Sequence, residues 1–217
     1  MAPFGFPVLL ELAGRRCVVI GGLPIREGKV EALLAGGATD VLVVSTEPED
    51  HLAELELLEG ITVARRTWTS ADLAGSFLVI AHDRDAGERS RLSATARRAG
   101  ALVNVVDDIP ACDWAMPAIV RRGDLLVAIG TGGASPALAR KMRERLEAEY
   151  GPEWAEILRV LREVREETLP LLPDIRERSA RWRDALDPDE AAALVQAGCA
   201  DELRGRLVSR LLDGAHR

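Results

Sequence analysis

The sequence predicts an α/β fold: a Rossmann-like, doubly wound, mostly parallel sheet followed by a helical region. Three observations lead there. Short apolar runs alternate with helix-patterned runs through the first two-thirds of the chain, at the spacing of strand–helix units. The first apolar run ends in Gly21-Gly22 and passes straight into a helix pattern, the join used where backbone must approach a dinucleotide. After residue 134 the strand-like runs cease and amphipathic helix patterns take over.

Each element has its own reason. Cys17-Val18-Val19-Ile20 is an unbroken apolar run closed by glycine, which suits a strand covered on both faces. A helix over 25–35 follows, with Val30, Leu33 and Leu34 at helical spacing and Gly36-Gly37 as its stop. Val41–Val44 is the second strand, Ile61–Ala64 a weaker third, and Phe77–Ala81 the fourth. Residues 85–99 form a charged helix ending at Gly100; Leu102–Val106 is the fifth strand and Leu125–Ile129 the sixth. Ser135-Pro136 opens a helix, with Ser as N-cap and Pro in the first turn, and Leu138, Met142 and Leu146 give it an apolar stripe. Gly151-Pro152 ends it. The remainder is helical, interrupted near Pro170, Pro173 and Pro188, with stripes from Leu158, Leu161, Val164, Leu169, Leu194, Val195, Leu203, Leu207 and Leu211. These stripes suit either a cap on the same chain or a face for a partner subunit. The expected divisions are 1–112 for the dinucleotide-binding sheet, 113–150 for a central segment and 151–217 for the helical tail.

Composition narrows the function classes. The chain has 217 residues, 28 Lys and Arg against 35 Asp and Glu, and a formal net charge of −7. That balance argues against nucleic acid or an anionic membrane as the main partner, because a general phosphate binder carries a basic excess. An aromatic content of 4% is too thin for a base-stacking platform. Cys17, Cys112 and Cys199 form neither a CxxC pair nor a disulfide framework, so a reducing cytosol is expected. The N-terminal apolar patch lacks a preceding basic stretch, and no run reaches the ~18 apolar residues of a membrane span, so a cytoplasmic location is expected. His51, His82 and His216 are scattered, which makes a preformed zinc site a poor expectation.

Four places carry candidate chemistry. Gly21-Gly22-Leu23-Pro24-Ile25-Arg26 is a strand-to-helix turn able to face a pyrophosphate with backbone N–H groups, although Leu23 and Arg26 occupy positions where the dinucleotide fingerprint is small. Where a ribose-binding carboxylate is expected, at the end of strand 2, the chain has Ser45-Thr46, with Glu47 just beyond. Asn104-Val105-Val106-Asp107-Asp108 leaves strand 5 with two carboxylates that point opposite ways, so one is a candidate base and the pair is not a dyad; a plain turn competes with that role. Gly130-Thr131-Gly132-Gly133-Ala134-Ser135-Pro136 is a second glycine loop opening a helix, with Arg121-Arg122 before it and Arg140-Lys141 after, a setting for a small polycarboxylate or simply a capped connection. His82, just after strand 4, lies at the same strand edge.

In their order and spacing these blocks resemble the precorrin-2 dehydrogenase and sirohydrochlorin ferrochelatase family, the N-terminal region of siroheme synthase. The carriers are VVIGG at 18–22, NVVDD at 104–108, PAIV at 117–120 and GGASPALAR at 132–140. The likeness spans roughly residues 5–150, and the tail to about 212 resembles the family's dimerisation region. It implies NAD⁺-dependent oxidation of precorrin-2 to sirohydrochlorin, with Fe²⁺ insertion in some members, in a homodimer. It implies Asp107 as the key carboxylate of both steps, with no fixed metal site beyond a transient role for Asp107. The implied cofactor edge is Gly21, Gly22, Leu23, Pro24, Ile25, Ser45, His82 and Val106. The implied tetrapyrrole pocket is Asn104, Arg121, Thr131, Gly132, Gly133, Ser135 and Arg140. The chain departs from the family at Leu23, Arg26 and Gly28, where members read Gly, Ala and Arg, and at His82-Asp83-Arg84 after strand 4. These departures leave the fold untouched and bear on NAD⁺ affinity. A relative that keeps the tetrapyrrole pocket without redox chemistry is the competing expectation, and an unrelated nucleotide-sensing domain is a third.

Overall fold

The computed structural model describes residues 4–26, 28–46 and 49–213. The chain divides into two compact units, Met1–Met116 and Pro117–Arg217.

The first unit is a five-stranded sheet in the order β3-β2-β1-β4-β5. Its strands are β1 (Arg16–Ile20), β2 (Asp40–Val44), β3 (Ile61–Ala64), β4 (Leu78–Ala81) and β5 (Leu102–Val105). All four pairings are parallel. Helices α1 (Gly22–Arg26), α2 (Lys29–Ala35), α3 (Glu49–Glu56) and α4 (Ala86–Arg98) cover it. Alternate residues of each strand enter two separate cores. Cys17, Val19, Val41, Val43, Leu78 and Ile80 pack with Ile25, Val30, Leu33, Leu52 and Leu55 of α1 to α3. Val18, Ile20, Leu42, Val44, Val79, Ala81, Val103 and Val105 pack with Leu92 and Ala96 of α4. A sheet buried on both faces needs apolar residues at every position, which is why its strands read as unbroken runs.

The helix expected over 25–35 is split. Gly28 sits at φ +69°, a left-handed residue that closes the single turn of α1 and starts α2. The stop at Gly36-Gly37 stands, with Gly37 at φ +88°.

One buried polar group steadies this unit. Asp72, in a 3-10 turn at Ser70–Leu73, accepts hydrogen bonds from both terminal nitrogens of Arg66 (2.7 and 2.6 Å) and from the Thr69 amide (2.7 Å). The Arg66 guanidinium, helped by Thr69, holds the Asp72 carboxyl down to about 2 from an ordinary 3.8. The folded value lies below the unfolded one, so the stabilisation is complete above about pH 4 and is lost as the pH falls through 2. Asp72→Asn is expected to lower the thermal midpoint by ~5 °C at pH 7. Melts across pH should show that gap closing toward pH 2; a gap independent of pH would remove the charge from the account.

The second unit begins with a hairpin, β6 (Ala118–Arg122) and β7 (Leu125–Ile129), paired antiparallel with Arg122 opposite Leu125. The sixth strand of the sequence reading is therefore β7, and it joins β6 rather than the parallel sheet. The reason is the two-residue link Gly123-Asp124, with Gly123 at φ +56°, which can only return the chain as a hairpin. Five helices follow: α5 (Pro136–Glu149), α6 (Glu153–Thr168), α7 (Ile175–Ala185), α8 (Pro188–Gln196) and α9 (Ala200–Leu212). Their core is the stripe Ile157, Val160 and Val164 of α6 against Leu203, Leu207 and Leu211 of α9, with Leu172, Ala185 and Ala191. Leu169, expected on a stripe, is exposed. Glu190 of α8 pairs with Arg206 and Arg210 of α9, and Arg210 followed by Arg206 lowers its carboxyl to about 2.

Candidate functional site

The chain order turns back at β1 and β4: β2 and β3 lie to one side of β1, β4 and β5 to the other. In open α/β sheets ligands bind at the carboxyl ends of the strands at such a switch point. Here β1 ends in Gly21, whose N–H donates to the Val44 carbonyl (3.0 Å), while the His82 N–H donates to the Ile20 carbonyl (3.0 Å). Gly21 sits at φ +89°, and a Cβ on it would stand 2.4 Å from the His82 carbonyl oxygen. Only glycine fits. Two strand ends are thus drawn together at backbone contact, and the bend between them carries no side chain.

Beyond Gly21 the loop is partly open. Leu23 is half-buried, and Pro24 and Ile25 are buried, so Ile25 packs into the core rather than facing the strand edge. The first-turn N–H groups of Gly22 and Leu23 have no acceptor within a helix, whereas Pro24 has no N–H to offer. At five residues, α1 sums few peptide dipoles. The loop therefore fits a pyrophosphate through the Gly21 bend and two N–H groups, with fewer donors than a full fingerprint supplies. Ser45 is buried at the end of β2, its N–H donating to the Ala64 carbonyl (3.1 Å). The Arg26 side chain and Glu47 lie outside the described residues.

The end of β5 is built differently. The Val106 N–H continues the ladder to the Ala81 carbonyl (2.8 Å), and the next residue, Asp107, takes φ +63°. Left-handed backbone at a non-glycine residue is uncommon, and its recurrence at active sites makes Asp107 a functional candidate on geometry alone. Its side chain is exposed, while Asp108 is tied to Arg89 of α4 (2.8 Å). The two carboxylates thus have separate environments, although the chain at Asp107 is left-handed and not extended, so strand alternation is not what parts them. Asn104 Nδ2 donates to the Trp114 carbonyl (2.9 Å), so its amide holds the returning chain. Cys112 Sγ donates to the Val105 carbonyl (3.1 Å) and accepts from the Val105 amide, closing the loop after Asp107. Burial raises its thiol above the usual value.

On the second unit the glycine loop is held by its own hydroxyls. Thr131 Oγ1 accepts from the Ser135 amide (3.3 Å) and donates to the Ser135 carbonyl (3.2 Å). Ser135 Oγ accepts from the Leu138 amide (3.1 Å) as N-cap of α5. Gly132 and Gly133 are exposed at φ +59° and +81°. The arginine pair divides: Arg122 donates to the Tyr150 and Glu147 carbonyls (2.9 and 3.0 Å) at the end of α5, while Arg121 is exposed. Arg140 is exposed, 3.8 Å from Glu144. Among the described residues no three His, Cys, Asp or Glu side chains gather where they could hold a metal ion, and no helix is long and apolar enough to cross a membrane.

Sequence reasoning missed Arg89, Ser93 and Arg97 of α4. Their four-residue spacing puts them on one helix face, and all three bond the loop after Asp107: Arg89 to Asp108, Ser93 Oγ to the Ala111 carbonyl (2.8 Å) and Arg97 to Asp113 (2.8 Å).

Known proteins show the same organisation. Siroheme synthase from Methylococcus capsulatus is 33% identical over 211 residues, covering 97% of this chain and 44% of that protein. Siroheme synthase from Ectopseudomonas mendocina is 35% identical, covering 97% and 45%. The chain thus spans a little under half the length of these relatives. Among solved structures, SirC, a precorrin-2 dehydrogenase, shares the fold with a TM-score of 0.65 at 24% identity, covering 97% of this chain and 98% of that one. Residues 122–149 match the family described as sirohaem biosynthesis protein central. Residues 8–118, just over half of the chain, match the family described as putative NAD(P)-binding, and to that family the chain belongs.

Proposed function

We propose that the chain oxidises precorrin-2 to sirohydrochlorin with NAD⁺, in the cytosol, as a homodimer. The observation that carries the reading is the pairing, on one strand edge, of the side-chain-free bend at Gly21 with Asp107 in left-handed backbone at the end of β5. The siroheme synthase relatives and the precorrin-2 dehydrogenase fold support the substrate class. Gly21, Gly22 and Leu23 would hold the pyrophosphate through backbone, with Ser45, His82 and Val106 at the neighbouring strand ends. NAD⁺ when bound accepts a hydride. Asp107, exposed at the edge, takes the proton released from the macrocycle, so two hydrogens leave as hydride and proton. The same carboxylate would receive pyrrole protons displaced by Fe²⁺ as a second substrate. The second unit has a carboxylate-binding surface of its own in the exposed Arg121 and Arg140 and the Gly132-Gly133 backbone, on a loop that Thr131 and Ser135 hold in shape.

A homodimer is supported by α5. None of its 14 residues is buried, and Leu138 and Met142 lie exposed on one stripe.

Pro24 favours one competing reading, a tetrapyrrole-binding relative without redox activity, because it removes a donor from the phosphate turn. One titration separates the two. Purified protein is expected to bind NAD⁺ and, given precorrin-2, to release NADH and sirohydrochlorin in equal amounts. Tetrapyrrole binding without NAD⁺ binding or turnover would install the competing reading.

A further inference from the structure

We propose that Arg89 is the positioning residue of this site: it ties the loop after β4 to the loop after β5 and so fixes where Asp107 stands. The inference rests on the reading of Asp107 as the base. One guanidinium serves both loops. Its Nε donates to Asp108 Oδ2 at 2.8 Å, while Nη1 donates to the carbonyls of Asp83 (3.1 Å) and Arg84 (3.0 Å). Asp83-Arg84 directly follows His82, whose carbonyl packs on Gly21, and Asp108 directly follows Asp107. The cofactor edge and the carboxylate edge are therefore each one or two residues from the same side chain.

The chemistry favours arginine. Three acceptors on two segments need a rigid planar fork, which a lysine ammonium does not reproduce. The ion pair is mostly shielded, with 24% of the Arg89 side chain and 21% of the Asp108 side chain exposed. Asp107 at φ +63° sits in a turn whose own bonds run from the Asp108 amide to the Val105 carbonyl (3.1 Å) and from the Ala111 amide (2.9 Å) and Cys112 Sγ (3.3 Å) to the Asp108 carbonyl, and the Asp108 carboxylate is where a group from another element takes hold beside it. Ser93 and Arg97 fasten the later part of the loop, at Ala111 and Asp113, so Arg89 is the member of the stripe that acts beside Asp107.

The test compares Arg89→Ala, Arg89→Lys and Asp108→Asn in the full chain, with Ser93→Ala as a structural control. Turnover of precorrin-2 and amide hydrogen exchange over residues 106–109 are read on each. Arg89→Ala is expected to lower kcat by ~10- to 100-fold, the usual effect of a displaced reacting group, with the KM for NAD⁺ changed less than about threefold and exchange faster by about tenfold or more. Arg89→Lys should recover only part of kcat, and Asp108→Asn should follow Arg89→Ala if that variant fails to fold. Ser93→Ala should loosen the later loop and leave kcat within about twofold. Unchanged kcat in Arg89→Ala, or an equal loss in Ser93→Ala, overturns the proposal. Wild-type protein without turnover overturns the dehydrogenase reading instead. Exchange still judges the clamp in that case: unchanged protection at 106–109 in Arg89→Ala and Asp108→Asn refutes it, and faster exchange upholds it.

Discussion

Asp107→Asn is expected to abolish turnover of precorrin-2, by ~10²- to 10⁴-fold, the range supplied by a positioned base. Thermal stability should stay within about 1 °C of wild type. The backbone makes asparagine the informative replacement. Asp107 stands at φ +63°, a conformation that Asn and Asp adopt more readily than other side chains because a short polar group can bond locally. Asn therefore keeps the shape and removes only the base. Asp107→Ala should be equally inactive and in addition lose ~1 kcal/mol, the strain of a Cβ without a polar group in left-handed backbone. Steady-state turnover and melts of both variants decide the matter. Residual activity near wild type in Asp107→Asn would take the proton-accepting role away from this carboxylate, and an inactive but unfolded Ala variant would not touch that conclusion.

Gly21→Ala is expected to damage both the fold and the cofactor edge. Its Cβ would meet the His82 carbonyl at 2.4 Å, closer than any real contact, and φ +89° is itself unfavourable for alanine. The carbonyl cannot retreat freely, because the His82 amide is bonded to Ile20 across the same strand pair. Overpacking and backbone strain together should cost about 2–4 kcal/mol, and NAD⁺ affinity should fall by at least ~10-fold through displacement of the first-turn N–H groups. Gly37→Ala isolates the second effect: Gly37 has nearly the same φ, +88°, but no atom within 4 Å of its would-be Cβ. It should lose only ~1 kcal/mol and bind NAD⁺ normally. Equal behaviour of the two variants in melts and NAD⁺ titration would show that the close approach to His82 does not matter.

Much of the first unit was legible because burial on both faces writes a plain pattern. Val41 to Val44 and Leu78 to Ala81 cannot be amphipathic and cannot be loops, so length and β-branching identify them as inner strands. The helical tail was legible for a different reason: Pro152, Pro173 and Pro188 stand at or beside the breaks between α5, α6, α7 and α8. What was hidden needed knowledge of partners. Ala118 to Arg122 carries too few apolar residues to declare a strand, and its place in a hairpin depends on Gly123-Asp124, a weak signal until β6 and β7 are known to pair. Gly28 reads as one more residue of a helix pattern, since its φ is not written in its neighbours.

The site shows the same limit. Asp107 and Gly21 were found by place in the chain, because strand ends are visible. The backbone features that mark them, a left-handed φ and a 2.4 Å approach, are not. Arg89 was invisible because its partner Asp108 is nineteen residues away in sequence. The hydroxyls of Thr131 and Ser135 looked free and are bonded to the loop itself and to α5.

The parallel ladders have a consequence in time. Cys17 pairs with Leu78 and Arg16 with Asp40, so the first unit closes contacts across long stretches of chain before any strand edge exists. Loop closure of that kind is slow, whereas the β6–β7 hairpin of the second unit joins immediate neighbours in sequence and only the later α6–α9 packing spans a comparable stretch. The hairpin is thus the piece that orders fastest, and the close approach of Gly21 to His82 forms only when the crossover that seats β4 beside β1 has been made.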